Sequence, residues 1–315
     1  MFKTPKLMPF LAGTAALAAI VGWSPSVLSD DTTLAELGER THFHGVAVAG
    51  DDPSLIYLAT HHGLYGVAPD GSARLISDHE DDLMGFTAHP DDPRVLFASG
   101  HPAQGGNLGF IVSKDHGRSW QKRSDGLNGP VDFHQMDVSK ADPDVIYGAY
   151  RGLQRSTDAG HRWEMMGPLP DGLIALAGSS TDADAVYAAT QGGLLRSADA
   201  GRTWHRIHPA PQPATKVHVT PGGDVYAFMA GIGLLRASEP ELDWQSVSGF
   251  DGWFILHLAS DPTDPDTLYA VTMDPRTRAQ ALRESRDGGR SWSRFGDGQA
   301  EAPDGPAGST LAGER

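Results

Sequence analysis

An eight-residue pattern, Ser-x-Asp-x-Gly-x-x-Trp, recurs four times: SKDHGRSW at 113–120, STDAGHRW at 156–163, SADAGRTW at 197–204 and SRDGGRSW at 285–292. The starts lie 43, 41 and 88 residues apart, the last interval being twice 44. One repeat therefore lacks the pattern, and SEPELDW at 238–244 stands where it is due. A period of about 42 residues with strand-like segments inside it is the spacing of propeller blades, units that bury their faces only against their neighbours.

The segments between the patterns repeat in order. An apolar strand opens each unit, as in HFHGVAV (42–48), LMGFTAH (83–89), VDFHQMDV (131–138) and FILHLAS (254–260), and an Asp-Pro turn often follows. A second strand comes next: LIYLAT (55–60), VLFASG (95–100), VIYGAY (145–150), AVYAAT (185–190), DVYAFM (224–229) and TLYAVT (267–272). A third, typified by GLLRS (193–197), runs into the pattern, and a fourth begins at its Trp. β-Branched and aromatic residues between turn residues make each segment a strand. Six second strands predict an all-β, six-bladed β-propeller of four-stranded antiparallel blades, with units at 42–78, 83–125, 131–168, 173–210, 214–248 and 253–296. A closed ring leaves no free sheet edges.

The pattern itself explains the turn between third and fourth strands. Its Ser and Asp side chains cap backbone amides, and its Gly supplies a positive φ. The Trp ring covers the outer strands. Ser113, Asp115, Gly117 and Trp120, Ser156, Asp158, Gly160 and Trp163, Ser197, Asp199, Gly201 and Trp204, and Ser285, Asp287, Gly289 and Trp292 are thus expected to hold blades together rather than to catalyse.

Lys3 and Lys6 precede an apolar run from Leu7 to Trp23, and Val27-Leu28-Ser29 leads into Asp30-Asp31. This is the layout of a signal peptide spanning 1–29, which predicts an exported, periplasmic or extracellular protein. An uncleaved anchor is the alternative, although the run is short and proline-interrupted for a span. Cleavage after Ser29 removes two lysines and no acid, taking the net charge from −15 to −17. So acidic a surface repels phosphate backbones, and no nucleic-acid partner is expected. The absence of cysteine excludes disulfides, thiolate metal sites and cysteine nucleophiles. Residues 30–41 read as a linker or short cap, 42–297 as the propeller, and 298–315, rich in Gly, Ala, Pro and Glu, as a disordered tail. No further segment is long enough to span a membrane, and a monomer is expected.

With its repeats, the chain resembles the bacterial neuraminidase repeat (BNR), or Asp-box, propellers, and residues 42–296 resemble an exported bacterial family labelled glycosyl hydrolase-like or sortilin-like. HFHGVAV, ATHHGLY, DLMGFTAHP, ASGHPAQGGNLGF and VDFHQMDVS carry that likeness. The resemblance implies a fold, because Asp-boxes occur in enzymes and non-enzymes alike. Sialidases within the superfamily clamp a carboxylate with three arginines, and here the arginines fall in repeated slots, with Arg151 alone placed toward the mouth. Other glycosidases need two carboxylates, one with a raised pKa. Asp82 and Asp132 are the candidates for such a pair, and no other catalytic residue suggests itself.

Histidines mark one region more firmly. Nine of the fourteen lie within the first 134 residues. Aligning first strands on their Asp-Pro turns places His44, Met84 and His134 at one position of successive blades, with His42, Asp82 and Asp132 two residues earlier. The loops from second to third strands add His61, His62 and His101 on the same face. Imidazoles with carboxylate or thioether partners suit zinc or copper. The expected metal ligands are His42, His44, His61, His62, His101 and His134, with Asp82, Met84 and Asp132 as further ligands or as groups orienting them. The plainer alternative is a polar channel whose histidines hydrogen-bond neighbouring loops. No nucleotide cofactor is expected. The function this suggests is a binding module for a ligand or protein at the mouth. A glycoside hydrolase using the mouth carboxylates is the alternative, and a scaffold for other exported proteins is a third reading that rests on fold analogy.

Overall fold

The computed structural model describes residues 32–296, so the signal-peptide and tail segments at 1–29 and 298–315 lie outside the described residues. Six antiparallel sheets follow one another in chain order. Their inner strands are Phe43–Ala49, Asp82–Ala88, Gln135–Val138, Leu173–Gly178, Ala214–Val219 and Phe254–Ser260. Each inner strand packs against the next, and the sixth against the first, so the protein is a closed six-bladed β-propeller. Among the described residues, no helix is long and apolar enough to cross a membrane.

Apolar clusters between adjacent blades hold the ring. The second strands contribute their central tyrosines, and Tyr57, Tyr147, Tyr187 and Tyr226 are almost completely buried. In three blades a third-strand Arg paired with that Tyr lays its guanidinium over the ring: Arg155 on Tyr147, Arg196 on Tyr187 and Arg236 on Tyr226. This accounts for the recurring arginines as packing groups.

The repeated turn is built the same way in all four copies. In blade 3, Ser156 Oγ donates to Asp158 Oδ1 at 2.9 Å and accepts from the Gly160 amide at 2.8 Å, while Asp158 Oδ1 accepts from the Arg162 amide at 2.8 Å. The Gly does more than permit a positive φ. At Gly117, Gly160, Gly201 and Gly289 a Cβ would fall 2.0–2.7 Å from Leu64, Phe110, Leu153 and Leu234, each on the third strand of the preceding blade. The turn is therefore an inter-blade contact as well as a hairpin. Blade 5, which lacks the pattern, holds its neighbour differently. Glu239 accepts hydrogen bonds from the Ser180 amide and hydroxyl at 2.9 and 2.7 Å and from Tyr187 Oη at 2.7 Å, all on blade 4.

Residues 32–40 form a cap over the closure. Thr32–Thr33 adds a fifth strand to the outer edge of blade 1, and a helix follows over Leu34–Arg40. Thr33 and Glu36 make a reciprocal capping box at the helix start. Leu37 is buried among residues of blades 1 and 6, including Phe43, Tyr269 and Leu282. Gln280 Oε1 accepts from the Phe43 amide at 2.8 Å across the same seam. Blades 1 and 6 are each completed by contiguous chain, and the helix staples them.

Candidate functional site

The inner strands start, and the second strands end, on one face of the ring, and there the predicted residues meet. They form two groups. In the first, Asp82 at the start of the blade 2 inner strand reaches back to blade 1, with His44 Nδ1 3.0 Å from its Oδ1 and His61 Nδ1 3.0 Å from its Oδ2. In the second, Asp132 Oδ2 lies 3.0 Å from His101 Nε2 of blade 2 and 2.6 Å from His134 Nε2. Within each group, one donor atom from each residue lies within 4.8 Å of the others.

The arrangement repeats across neighbouring seams with one exchange. His61 follows the second strand of blade 1 and His101 ends that of blade 2, while Asp82 begins its inner strand and Asp132 lies three residues ahead of Gln135–Val138, a shorter strand than the sequence predicts. Met84 takes the slot in blade 2 that His44 takes in blade 1, so the second group draws on His134, two residues beyond its own Asp. His42 and His62 are in neither group. Their rings stand 5.8 and 6.5 Å from that of His61, as an outer fringe.

Hydrogen positions make the second group chemically specific. Gly106 O can only accept, so at 2.8 Å the His101 Nδ1–H donates a hydrogen bond to it. With Nδ1 protonated, Nε2 of a neutral His101 carries a lone pair and stands 3.0 Å from Asp132 Oδ2, out of line for a hydrogen bond between them. Asp132 Oδ1 is buried without a hydrogen-bond partner. In the first group, His44 Nδ1 and Asp82 Oδ1 approach to ion-pair distance, but the ring N–H direction misses the carboxylate, and neither buried atom has a hydrogen bond. Burial alone would raise the pKa of Asp82, but the contacts with His44 and His61 outweigh it and hold the carboxyl below its ordinary value. Asp132 draws the pKa of His134 upward through their contact, against burial.

A second polar region lies deeper on the axis and was not singled out from the sequence. Asp137, Lys140, Lys216, His218 and His257 line a cavity of about 300 Å³ between the inner strands. Five of the six inner strands carry a register shift near their start, between Ala214 and Lys216 in blade 5 and between Ile255 and His257 in blade 6. Such a bulge inserts an unpaired residue and breaks the two-residue alternation by which facing side chains are read.

Solved structures share this architecture. The GH74 xyloglucanase from Xanthomonas campestris matches with a TM-score of 0.55 at 19% identity, over 84% of this chain and 46% of that one. The extracellular domain of BT4673 from B. thetaiotaomicron matches with a TM-score of 0.51 at 14% identity, over 84% and 34%. A chain of the COPII outer coat vertex gives 0.54 at 10% identity, over 78% and 70%. The chain thus spans about half the length of the GH74 enzyme. No protein-family model and no curated protein matches the sequence. An enzyme, an extracellular domain and a coat component share the likeness, which at these identities is one of fold. The class defined here is a six-bladed β-propeller with paired histidine–aspartate groups at one mouth.

Proposed function

We propose that the protein is an exported propeller of the Asp-box type that binds divalent transition metal at its mouth, in two sites of two histidines and one aspartate each. The observation that carries this reading is the His101 ring, whose Nδ1–H is committed to a backbone carbonyl while its Nε2 stands 3.0 Å from a carboxylate with no aligned hydrogen bond between them. Metal-bound histidines are oriented in this way by the proton on their other nitrogen. Donor atoms on a tetrahedral zinc ion lie about 3.4 Å apart, so spans of up to 4.8 Å close with modest side-chain rotation. Three protein ligands leave a coordination position open, through which the mouth would hold an external ligand or a partner's side chain. A donor set of two imidazoles and a carboxylate suits zinc, copper or iron(II).

A glycoside hydrolase at this mouth would need a carboxylic acid with a raised pKa. Asp82 is shifted the opposite way, which disfavours that role. Isothermal titration of metal-stripped, untagged protein with zinc, copper and iron(II) tests the proposal. Two equivalents of one metal should bind more tightly than micromolar, with Asp82→Asn removing one and Asp132→Asn the other. Absence of such binding, or stoichiometry untouched by both substitutions, would show that protons alone bridge these groups. Turnover of chromogenic glycosides abolished by either substitution would establish the hydrolase instead.

A further inference from the structure

We propose that the axial channel below the mouth is a second binding site, for a small oxyanion seated on Lys216. The ligand is a carboxylate, phosphate or sulfate group, either free or at the end of a larger molecule. Lys216 belongs to neither metal group, so this site is independent of the metal reading.

Charge accounting in the channel leads to this conclusion. The titratable groups lining it are Lys140, Lys216, Asp137, His218, His257, His89 and Asp91. Asp137 is buried and fully engaged, with Lys140 Nζ and the Gly178 amide on Oδ2 and Thr87 Oγ1 on Oδ1. Lys140 and Asp137 therefore cancel. His218 lies 3.1 Å from Ser260 Oγ, and burial holds its pKa down at about 3. Burial also holds His257 at about 3, so both rings stay neutral at physiological pH. His89 Nδ1 is occupied by the amides of Asp91 and Asp92, and Asp91 is exposed at the rim, where water screens it. Lys216 remains. Among the described residues, no hydrogen bond or ion pair holds its ammonium, and the residue lines the cavity.

An uncompensated ammonium surrounded by protein is unfavourable. Burial, with Lys140 adding to it, presses the pKa of Lys216 down to about 8, while Asp137 pulls it the other way. An anion in the cavity would supply the missing counter-charge through a charge-assisted hydrogen bond from Lys216. At about 300 Å³ the space is at the small end of ligand pockets, which suits a compact anion or one group of a longer ligand. The net negative surface would slow the approach of anions, so any affinity must come from the channel itself.

Calorimetric titration with inorganic phosphate, sulfate, acetate and citrate tests this in the full chain. Binding of at least one of them is expected, weakened tenfold or more by Lys216→Met and largely kept by Lys216→Arg. At pH 8.5 binding should take up protons, seen as a dependence of the heat on the buffer's ionisation enthalpy, because the anion restores the proton to Lys216. Zinc binding at the mouth should be the same in Lys216→Met as in the wild type, which separates this proposal from the metal sites. A measurement that needs no variant is acetylation of Lys216 by acetic anhydride, read by mass spectrometry, which bound anion should slow several-fold. Equal anion effects in the wild type and Lys216→Met, or no protection of Lys216 by any of the four anions, would overturn the proposal.

Discussion

Gly160→Ala should destabilise the ring far more than its place in a surface turn suggests. Two terms act. Gly160 has φ +87°, where an alanine Cβ costs about 1–2 kcal/mol against the backbone. The added Cβ would also lie 2.0 Å from Phe110 Cε1 and 2.5 Å from its Cδ1. The Phe110 ring cannot swing clear, because it is fully buried, stacked 5.6 Å from Phe97 and set edge-on 5.3 Å from Trp163. Overpacking of this kind costs about 1–3 kcal/mol. The sum is about 2–5 kcal/mol, and a domain of this size loses about 2–4 °C in Tm per kcal/mol. Gly105→Ala is the control, since its φ is +88° and nothing lies within 4 Å of the added atom, so only the first term applies. Melting followed by circular dichroism would compare the two. Phe110→Leu in the Gly160→Ala background should recover at least about 1 kcal/mol relative to additivity, the coupling expected of residues in contact. Equal losses at Gly105 and Gly160 together with strict additivity would refute the inter-blade clash and leave the glycine as a hairpin residue only.

Ser156→Ala should cost about 1–3 kcal/mol, because it leaves the buried Gly160 amide without its acceptor; a thermal melt unchanged within error would contradict this. Acid sensitivity follows from the turn carboxylates. Although partial burial alone would raise it, hydrogen bonds from Ser291 and Ser285 hold Asp287 down at about 2. A depressed folded-state pKa contributes stability that is complete above the unfolded value of about 4 and is lost as pH falls toward 2. Asp287→Asn should therefore lower stability at pH 7 and flatten its dependence between pH 4 and 2, as measured by urea unfolding. Glu239→Gln should weaken the blade 4–blade 5 seam, seen as faster amide hydrogen exchange at Ser180, whose amide it binds. Metal affinity at the mouth should fall as pH drops through about 6.5, since protonated imidazole cannot ligate, and equilibrium dialysis across that range would check it.

The candidate site was partly legible in the chain. The strand order of a blade places inner-strand starts and second-to-third connections together, which puts His44, His61, Asp82, His101, Asp132 and His134 on one face. Whether they served one centre or two was not legible. Asp82 and Asp132 each bridge a seam, and a seam is a relation between repeats about 40 residues apart. Lys216, His218 and His257 are not legible in the sequence, because no motif surrounds them and a bulge offsets their strands.

What the amino-acid sequence determined by itself is the repeat: the number of blades, the order of strands within each and the turn that joins the last two. Those features rest on interactions within a few residues, such as Ser156 with Asp158 and Gly160, which local chemistry specifies wherever the segment sits. Tertiary structure alone decided how the blades meet. It set Gly160 against Phe110, divided the histidines between two carboxylates and gathered Asp137, Lys140 and Lys216 around one cavity. The physical reason is ring closure. Six twisted sheets must bring their inner strands together on a common axis, and which side chains then share that space depends on bulges and seam packing that no single repeat contains.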